Sequence, residues 1–273
     1  MLLLGLLGDP VAHSLSPVMH GAALRELGIP GVYVPLRVLA GDLEVALAGL
    51  RVLGWGGLNV TIPHKQGVMR YLTRLDPPAQ AIGAVNTLYP LEGGWGGTNT
   101  DGLGFQAPLK HEKWQGRSVT ILGGGGSARA VIWGCRNLGM EPIRVIVRDP
   151  GQGQLVQEQF GGIGVGSWAD LAEVLPGTDL LVNTTPVGMK DPEQTPVARD
   201  VLGLLPGWAW VYDLIYVPAP TRLLREAQAL GYRTQDGLEM LVQQGAAALS
   251  LWLGGMPVPV EVMRQAAEQQ LRR

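Results

Sequence analysis

Val119-Thr120-Ile121-Leu122-Gly123-Gly124-Gly125-Gly126-Ser127-Ala128-Arg129-Ala130 is the stretch that decides the fold. A mainly apolar run of strand length stops at four consecutive glycines, and the pattern after them predicts a helix over 127–138. Gly123, Gly125 and Ala128 fit the fingerprint G-x-G-x-x-(G/A) in the context that gives it meaning, with a strand before and a helix after. The first glycine lets the chain turn and the second lets the backbone approach a pyrophosphate. The small third residue lets helix and strand pack closely, and free N–H groups at the helix start face the anion. A P-loop is excluded, because no Gly-Lys-Ser/Thr follows. A strand over 143–147 completes a βαβ unit.

Working outward, further strands are predicted at 162–165, 180–183 and 211–215, with helices at 169–175 and 222–230. This is a parallel doubly wound sheet. Upstream, strands at 2–7, 32–38 and 58–61 alternate with helices at 17–27 and 43–53. A short helix follows from Pro63, then a two-strand element over 84–91 with its turn at 92–94. The fold class is therefore α/β with two domains. Residues 1–101 form an N-terminal α/β domain and 102–236 a Rossmann-type dinucleotide domain. The segment 237–273 is helical and apolar on more than one face, so it needs a surface to pack on and is expected to return to the first domain.

Composition narrows the function. The 273 residues include 40 glycines, about twice the usual ~7%, without the three-residue period of collagen and beside strong apolar runs. With 21 basic against 23 acidic residues, no cationic surplus exists to neutralise phosphates, which argues against a nucleic-acid partner. The single cysteine, Cys135, excludes an intrachain disulfide and a cysteine-built metal site and suits the cytoplasm. The N-terminal apolar run is short, lacks a positive leader and is cut by Gly5, Gly8, Asp9 and Pro10, so it reads as a buried strand and not a signal peptide. No segment has the ~18 uninterrupted apolar residues of a membrane span. No metal is expected.

Four polar clusters sit just past strand ends, where open α/β sheets place ligands. They are His13-Ser14-Leu15-Ser16-Pro17, Asn59-Val60-Thr61-Ile62-Pro63-His64-Lys65, Ala84-Val85-Asn86-Thr87 and Thr98-Asn99-Thr100-Asp101-Gly102. Taken singly, Ser16, Thr61 and Asp101 read as helix caps, Asn86 and Asn99 as turn residues, and Lys65 as a solvated charge. Together they offer the hydroxyls, amides, ammonium and carboxylate that a polyhydroxylated carboxylic acid requires.

The motifs GDPVAHSLSP, NVTIPHK, GAVNT and GTNTDG, followed by ILGGGGSARA, NTTPVGM, YDLIY and DGLEMLVQQG, run end to end in this order. In them the chain resembles the shikimate dehydrogenase family. The resemblance implies an enzyme that reversibly reduces 3-dehydroshikimate to shikimate with NADPH, in aromatic amino-acid biosynthesis, with catalysis in the cleft between the domains. It implies Ser14 and Ser16 on the substrate carboxylate, with Asn59, Thr61, Lys65, Asn86, Asp101, Tyr216 and Gln244 lining the rest. For the cofactor it implies Gly123, Gly124, Gly125, Gly126 and Ser127 at the pyrophosphate and Arg148 at the 2′-phosphate. Thr184 and Met189 would lie near the ribose and nicotinamide, with Leu214 and Gly237 beside the ring. The partner is the small-molecule substrate alone, in a monomer or homodimer.

Chemistry agrees with the transfer. Hydride reduction of a ketone builds alkoxide charge, so a positioned cation that also delivers a proton is needed. Lys65 is that cation and Asp101 its partner. One segment departs from the family, which commonly shows Asn-Arg-Thr where this chain has Val147-Arg148-Asp149. An arginine suits the 2′-phosphate of NADP and an acid the ribose of NAD, and whichever side chain points into the pocket decides. The expectation is NADP with weakened discrimination against NAD. The alternatives are a quinate/shikimate dehydrogenase using NAD and a dinucleotide-binding module without turnover.

The remaining conspicuous residues have bland readings. Trp133, Trp208, Trp210 and Trp252 read as core or interface filling, and Trp55 and Trp95 as turn residues at the surface. Cys135 reads as a buried small side chain. Neither His13 nor His64 is given a catalytic role.

Overall fold

The computed structural model describes residues 1–272. It divides into two compact units, Met1–Gly104 with the segment from Leu241 onward, and Phe105–Met240. These divisions fall a few residues beyond the expected boundaries at 101 and 237, because Asp101–Gln106 and Leu238–Trp252 are each a single helix.

In the first unit the chain runs β1 (Leu2–Gly8), α1 (Ser16–Glu26), β2 (Gly31–Arg37), α2 (Leu43–Val52), β3 (Gly57–Val60) and α3 (His64–Gly67). It continues through β4 (Arg74–Leu75), α4 (Pro77–Ile82), β5 (Thr87–Leu91), β6 (Gly94–Thr98) and α5 (Asp101–Gln106). Its sheet has the order β2-β1-β3-β5-β6-β4. β1 pairs in parallel with both β2 and β3, whereas β3–β5 and β5–β6 are antiparallel. Leu7, Leu58, Val60, Leu88 and Trp95 pack with Leu43 and Leu47 of α2 into one core. Trp95, expected at the surface, is buried and donates its indole N–H to the Leu47 carbonyl at 3.0 Å. Its place on the antiparallel pair turns the ring inward, and the buried indole finds an acceptor.

The second unit runs β7 (Val119–Leu122), α6 (Gly126–Asn137), β8 (Ile143–Ile146), α7 (Pro150–Phe160), β9 (Gly164–Gly166), α8 (Leu171–Val174) and β10 (Leu180–Asn183). It continues with α9 (Arg199–Leu202), β11 (Trp210–Asp213), α10 (Arg222–Ala229) and β12 (Arg233–Gln235). The sheet is parallel throughout, in the order β12-β11-β10-β7-β8-β9. By order of appearance this is 3-2-1-4-5-6, the doubly wound dinucleotide arrangement, with its switch point between β7 and β10. Every residue of β7 and β10 is buried, as strands covered on both faces require. In α6 the buried Ala128, Val131, Ile132 and Cys135 recur at helical spacing and form the face that packs on the sheet. Trp208, expected to fill core or interface, is 64% exposed, because its indole N–H reaches out to Asp179.

α7 is absent from the sequence reading. Gly151, Gly153 and four glutamines weaken its apolar period, and its signal lies at its start, where Asp149 is the N-cap and Pro150 opens the first turn.

The C-terminal helices α11 (Leu238–Trp252) and α12 (Val260–Leu271) supply the remainder of the first unit from Leu241 onward. α12 packs on α1, and Trp252 donates its indole N–H to the Leu88 carbonyl at 2.8 Å. Among the described residues no helix is long and apolar enough to cross a membrane, and no group of three or more His, Cys, Asp or Glu is arranged to hold a metal ion.

Candidate active site

In the first unit the polar clusters converge on one hydrogen-bonded network. Lys65, in α3, donates from Nζ to Asp101 Oδ2 at 2.5 Å, and the two side chains are 15% and 6% exposed. The Asp101 backbone N–H donates to Asn99 Oδ1, which seats the carboxylate at the start of α5, where a helix terminus favours negative charge. Asp101 Oδ1 accepts from Asn86 Nδ2 at 2.9 Å. The same Asn86 amide nitrogen faces Gln244 Oε1 at 3.1 Å, a partner 158 positions away on α11. Asn86 Oδ1 accepts from Thr87 Oγ1 and from the Thr100 backbone N–H. Three of the four polar clusters, with Gln244 of α11, thus hold one ion pair.

A second branch leads from this network toward the first loop. Asn59, buried at β3, donates to the Asn86 carbonyl and to Thr87 Oγ1, both at 3.1 Å, and accepts from the Tyr33 hydroxyl at 2.8 Å. Its amide is committed within the protein. Tyr33 stacks on His20 with ring centroids 4.1 Å apart, and the Nδ1 of His20 is 2.9 Å from the Ser16 carbonyl oxygen. Burial holds the Tyr33 phenol well above its ordinary range, against a hydrogen bond with Ser16. Burial pushes His20 down to about 4, so it is neutral at neutral pH. Ser16 is buried at the start of α1, and half-buried Ser14 accepts the Ser16 backbone N–H at 3.2 Å. The N-cap of α1 is Leu15, so Ser16 does not cap the helix. Half-buried Thr61 lies after β3, and Pro63 is the residue that caps α3. His64 is buried and bonds the Val38 carbonyl through Nε2 at 2.7 Å, in a structural role.

Thr87, Asn99 and Thr100 lie in the polar clusters but are given no role at the site by the motifs, and Tyr33 and His20 lie outside those clusters. The signal for Tyr33 is a phenol at an inward position of a mainly apolar strand, since a buried hydroxyl needs a partner.

In the second unit the turn after β7 is built mainly from backbone. Gly123 has φ +104°, a conformation that favours glycine, and a Cβ there would lie 2.7 Å from Thr184 Oγ1. Gly125 is the N-cap of α6 and supplies no side-chain hydrogen bond, so the first-turn N–H groups of this helix have no side-chain cap. Gly124, Gly126 and Ser127 complete the turn, and the glycine run sits at the switch point of the sheet, where anions and dinucleotides bind. Gly237 packs so tightly that a Cβ would lie 1.9 Å from the Leu214 carbonyl oxygen. Thr184 donates to the Leu122 carbonyl at 2.6 Å, and Met189 is 45% exposed. Tyr216 is half-buried and lies in this unit, in the loop after β11.

At the end of β8 the structure gives the two charged side chains different settings. Asp149 Oδ1 accepts the Gly151 backbone N–H at 2.9 Å as the N-cap of α7. Val147 is buried, and Arg148 is exposed. Both charged side chains are exposed, and one carboxylate oxygen of Asp149 is engaged by its helix. Cys135 is buried, and burial pushes its thiol far up, which leaves it inert.

The model of the shikimate dehydrogenase substrate binding domain matches residues 6–88, and that of the shikimate 5′-dehydrogenase C-terminal domain matches 237–268. A shikimate dehydrogenase (NADP(+)) of Synechococcus sp. (strain JA-3-3Ab) is 56% identical, over 98% of this chain and 94% of that protein. The chain belongs to the shikimate dehydrogenase family. Among solved members, the shikimate 5-dehydrogenase of Thermus thermophilus, in complex with NADP(H) and shikimate, has a TM-score of 0.89 at 39% identity. That match covers 98% of this chain and 99% of the other. The ligand-free 5-ketofructose reductase of Gluconobacter sp. strain CHM43 also has this fold, with a TM-score of 0.85 at 33% identity over 98% of each chain. The family fold therefore hosts more than one ketone substrate, and the substrate must be argued from side chains.

Proposed function

We propose that this protein catalyses the reversible NADPH-dependent reduction of 3-dehydroshikimate to shikimate. The observation that carries the reading is the Lys65–Asp101 pair at 2.5 Å, held by Asn86 in a chain 56% identical to a shikimate dehydrogenase (NADP(+)). Lys65 is the general acid and base. As negative charge builds on the ketone oxygen its ammonium gives up a proton, and in the oxidising direction the neutral amine takes the hydroxyl proton back. Asp101 aims the ammonium and stabilises it between turnovers. Gln244 presents a polar group to ring hydroxyls beside Asn86, whose amide holds Asp101, and Asn59, its own amide likewise committed internally, acts as the brace that sets Asn86. Ser14 and Ser16, with Thr61 nearby in the fold of this unit, receive the carboxylate. That carboxylate distinguishes the substrate from a neutral polyhydroxy ketone.

The second unit fits NADP. Gly123, Gly124, Gly125, Gly126 and Ser127 would hold the pyrophosphate at the start of α6. Arg148 would take the 2′-phosphate, with Thr184, Met189, Leu214 and Gly237 around the ribose and nicotinamide. When bound, NADPH supplies the hydride. The commitment of Asp149 to its helix supports NADP over NAD, and thereby supports this reading over a quinate dehydrogenase using NAD. The intact ion pair supports an enzyme over a module without turnover. The buried thiol of Cys135 suits a reducing compartment, the cytoplasm.

Assaying Lys65→Ala for shikimate-dependent NADP+ reduction tests the assignment. kcat is expected to fall about 1000-fold while NADP+ affinity is retained. Turnover near wild type would remove Lys65 from the mechanism.

A further inference from the structure

Asp213 is fully buried at the end of β11, and no step assigned above uses it. Its two carboxylate oxygens are met by donors from three places. Oδ1 accepts Asn183 Nδ2 from the end of β10 at 3.0 Å and the Ile215 backbone N–H from the following loop at 3.1 Å. Oδ2 accepts Thr221 Oγ1 at 2.7 Å, and Thr221 is the N-cap of α10. All three contacts are donors, which is the pattern an ionised carboxylate requires.

The straps extend further. Asn183 Oδ1, fixed by the bond its amide nitrogen makes to Asp213, accepts both the backbone N–H and the hydroxyl of Thr185, at 3.0 and 2.7 Å. Thr185 Oγ1 in turn accepts the Val187 backbone N–H at 3.3 Å. On the other side the Leu214 N–H donates to the Asn183 carbonyl at 3.0 Å, and the Gly237 N–H to the Ile215 carbonyl at 3.2 Å. The loops 184–189 and 214–216, together with Gly237, are therefore tied to one buried group.

Such a group is costly to keep. Burial is the largest influence on Asp213 and pushes its carboxyl up to about 6, opposed by the hydrogen bonds from Thr221, Ile215 and Asn183, while the charged neighbour acting on it, Asp236, is itself acidic. A buried carboxylate without a cation destabilises the fold relative to an apolar side chain of similar size. Its retention at the root of two ligand loops points to a role beyond stability.

We propose that Asp213 is a positioning residue for the cofactor, whose carboxylate presets the loops carrying Thr184, Met189 and Leu214, and Gly237 beside them, for the dinucleotide. This rests on the NADP reading given above. The test is calorimetric titration of NADP+ and, separately, of shikimate into wild type, Asp213→Asn and Thr221→Val, with amide hydrogen exchange on each protein. Asp213→Asn is expected to weaken NADP+ binding about tenfold and Thr221→Val about threefold, through loss of charge-assisted hydrogen bonds. Shikimate affinity falls less than that for NADP+, since Tyr216 is the one substrate residue in these loops, and exchange quickens at 184–189 and 214–216 but not in β7 or β8. NADP+ affinity within twofold of wild type in both folded variants overturns the proposal. So does exchange that quickens evenly through the unit, the mark of a merely structural role. If Asp213→Asn does not fold, Thr221→Val decides by the same criteria. A wild-type protein that fails to bind NADP+ overturns the proposed function instead.

Discussion

The ligand regions of the two units, two halves of the proposed chemistry, are built on opposite principles. In the first unit the chemistry is carried by side chains. Lys65, Asp101, Asn86, Gln244, Asn59 and Tyr33 meet in one network, and each of these residues has a partner from a different segment. In the second unit the glycine turn works by the absence of side chains, exposing backbone N–H groups at a helix start and leaving room at Gly123 and Gly237. The first half is damaged by taking atoms away and the second by adding them. Damage in the first half falls on turnover and substrate, and damage in the second on the dinucleotide.

Each end of that contrast can be broken by substitution. The largest effect belongs to Lys65→Ala, with its expected ~1000-fold loss of kcat and unchanged NADP+ affinity. Next is Gly237→Ala, where one methyl collides with the Leu214 carbonyl oxygen at 1.9 Å and the backbone must shift. KM for NADP+ is expected to rise at least about tenfold with little change in KM for shikimate, a loss on the scale of ~1–3 kcal/mol for a tight overpacking. An equal rise in both constants would erase the division of labour. Tyr33→Phe is smaller. It deletes the hydroxyl that pairs Asn59 Oδ1, leaving a buried acceptor alone at a cost of about 1–3 kcal/mol in chemical denaturation. KM for shikimate should rise severalfold and NADP+ affinity should not move. The smallest effect is that of Asp149→Ala, the loss of an N-cap at about 1 kcal/mol of stability. Its NADP+/NAD+ ratio of kcat/KM should stay within about twofold of wild type, because that carboxylate caps α7. A large shift toward NADP+ would show Asp149 facing the ribose.

Much of this was legible in the sequence. Strand β7, the glycine turn and α6 follow from local pattern, since a buried parallel strand is apolar along its length and a turn at a phosphate needs small residues. Lys65 and Asp101 stood out because an ammonium and a carboxylate just past strand ends have a chemical reason to be there. Other features were hidden for reasons that are also physical. α7 lacks an apolar period because two of its first four residues are glycine and its packing rests on Gly153, Val156 and Phe160. Trp95 and Trp208 exchanged their expected places because solvent exposure is decided by which face a strand or loop presents.

The residues alone determined the class of fold and the chemical types at the site, because periodicity, glycine placement and side-chain functional groups are local properties. Tertiary structure decided the pairings. Asn86 reaches Gln244 across 158 positions, Tyr33 fixes Asn59, and Asp213 ties two loops. It also settled that Asp149 caps a helix, whereas its exposed neighbour Arg148 does not. A hydrogen bond requires two groups within about 3 Å in a set orientation, and only the folded chain brings distant groups that close.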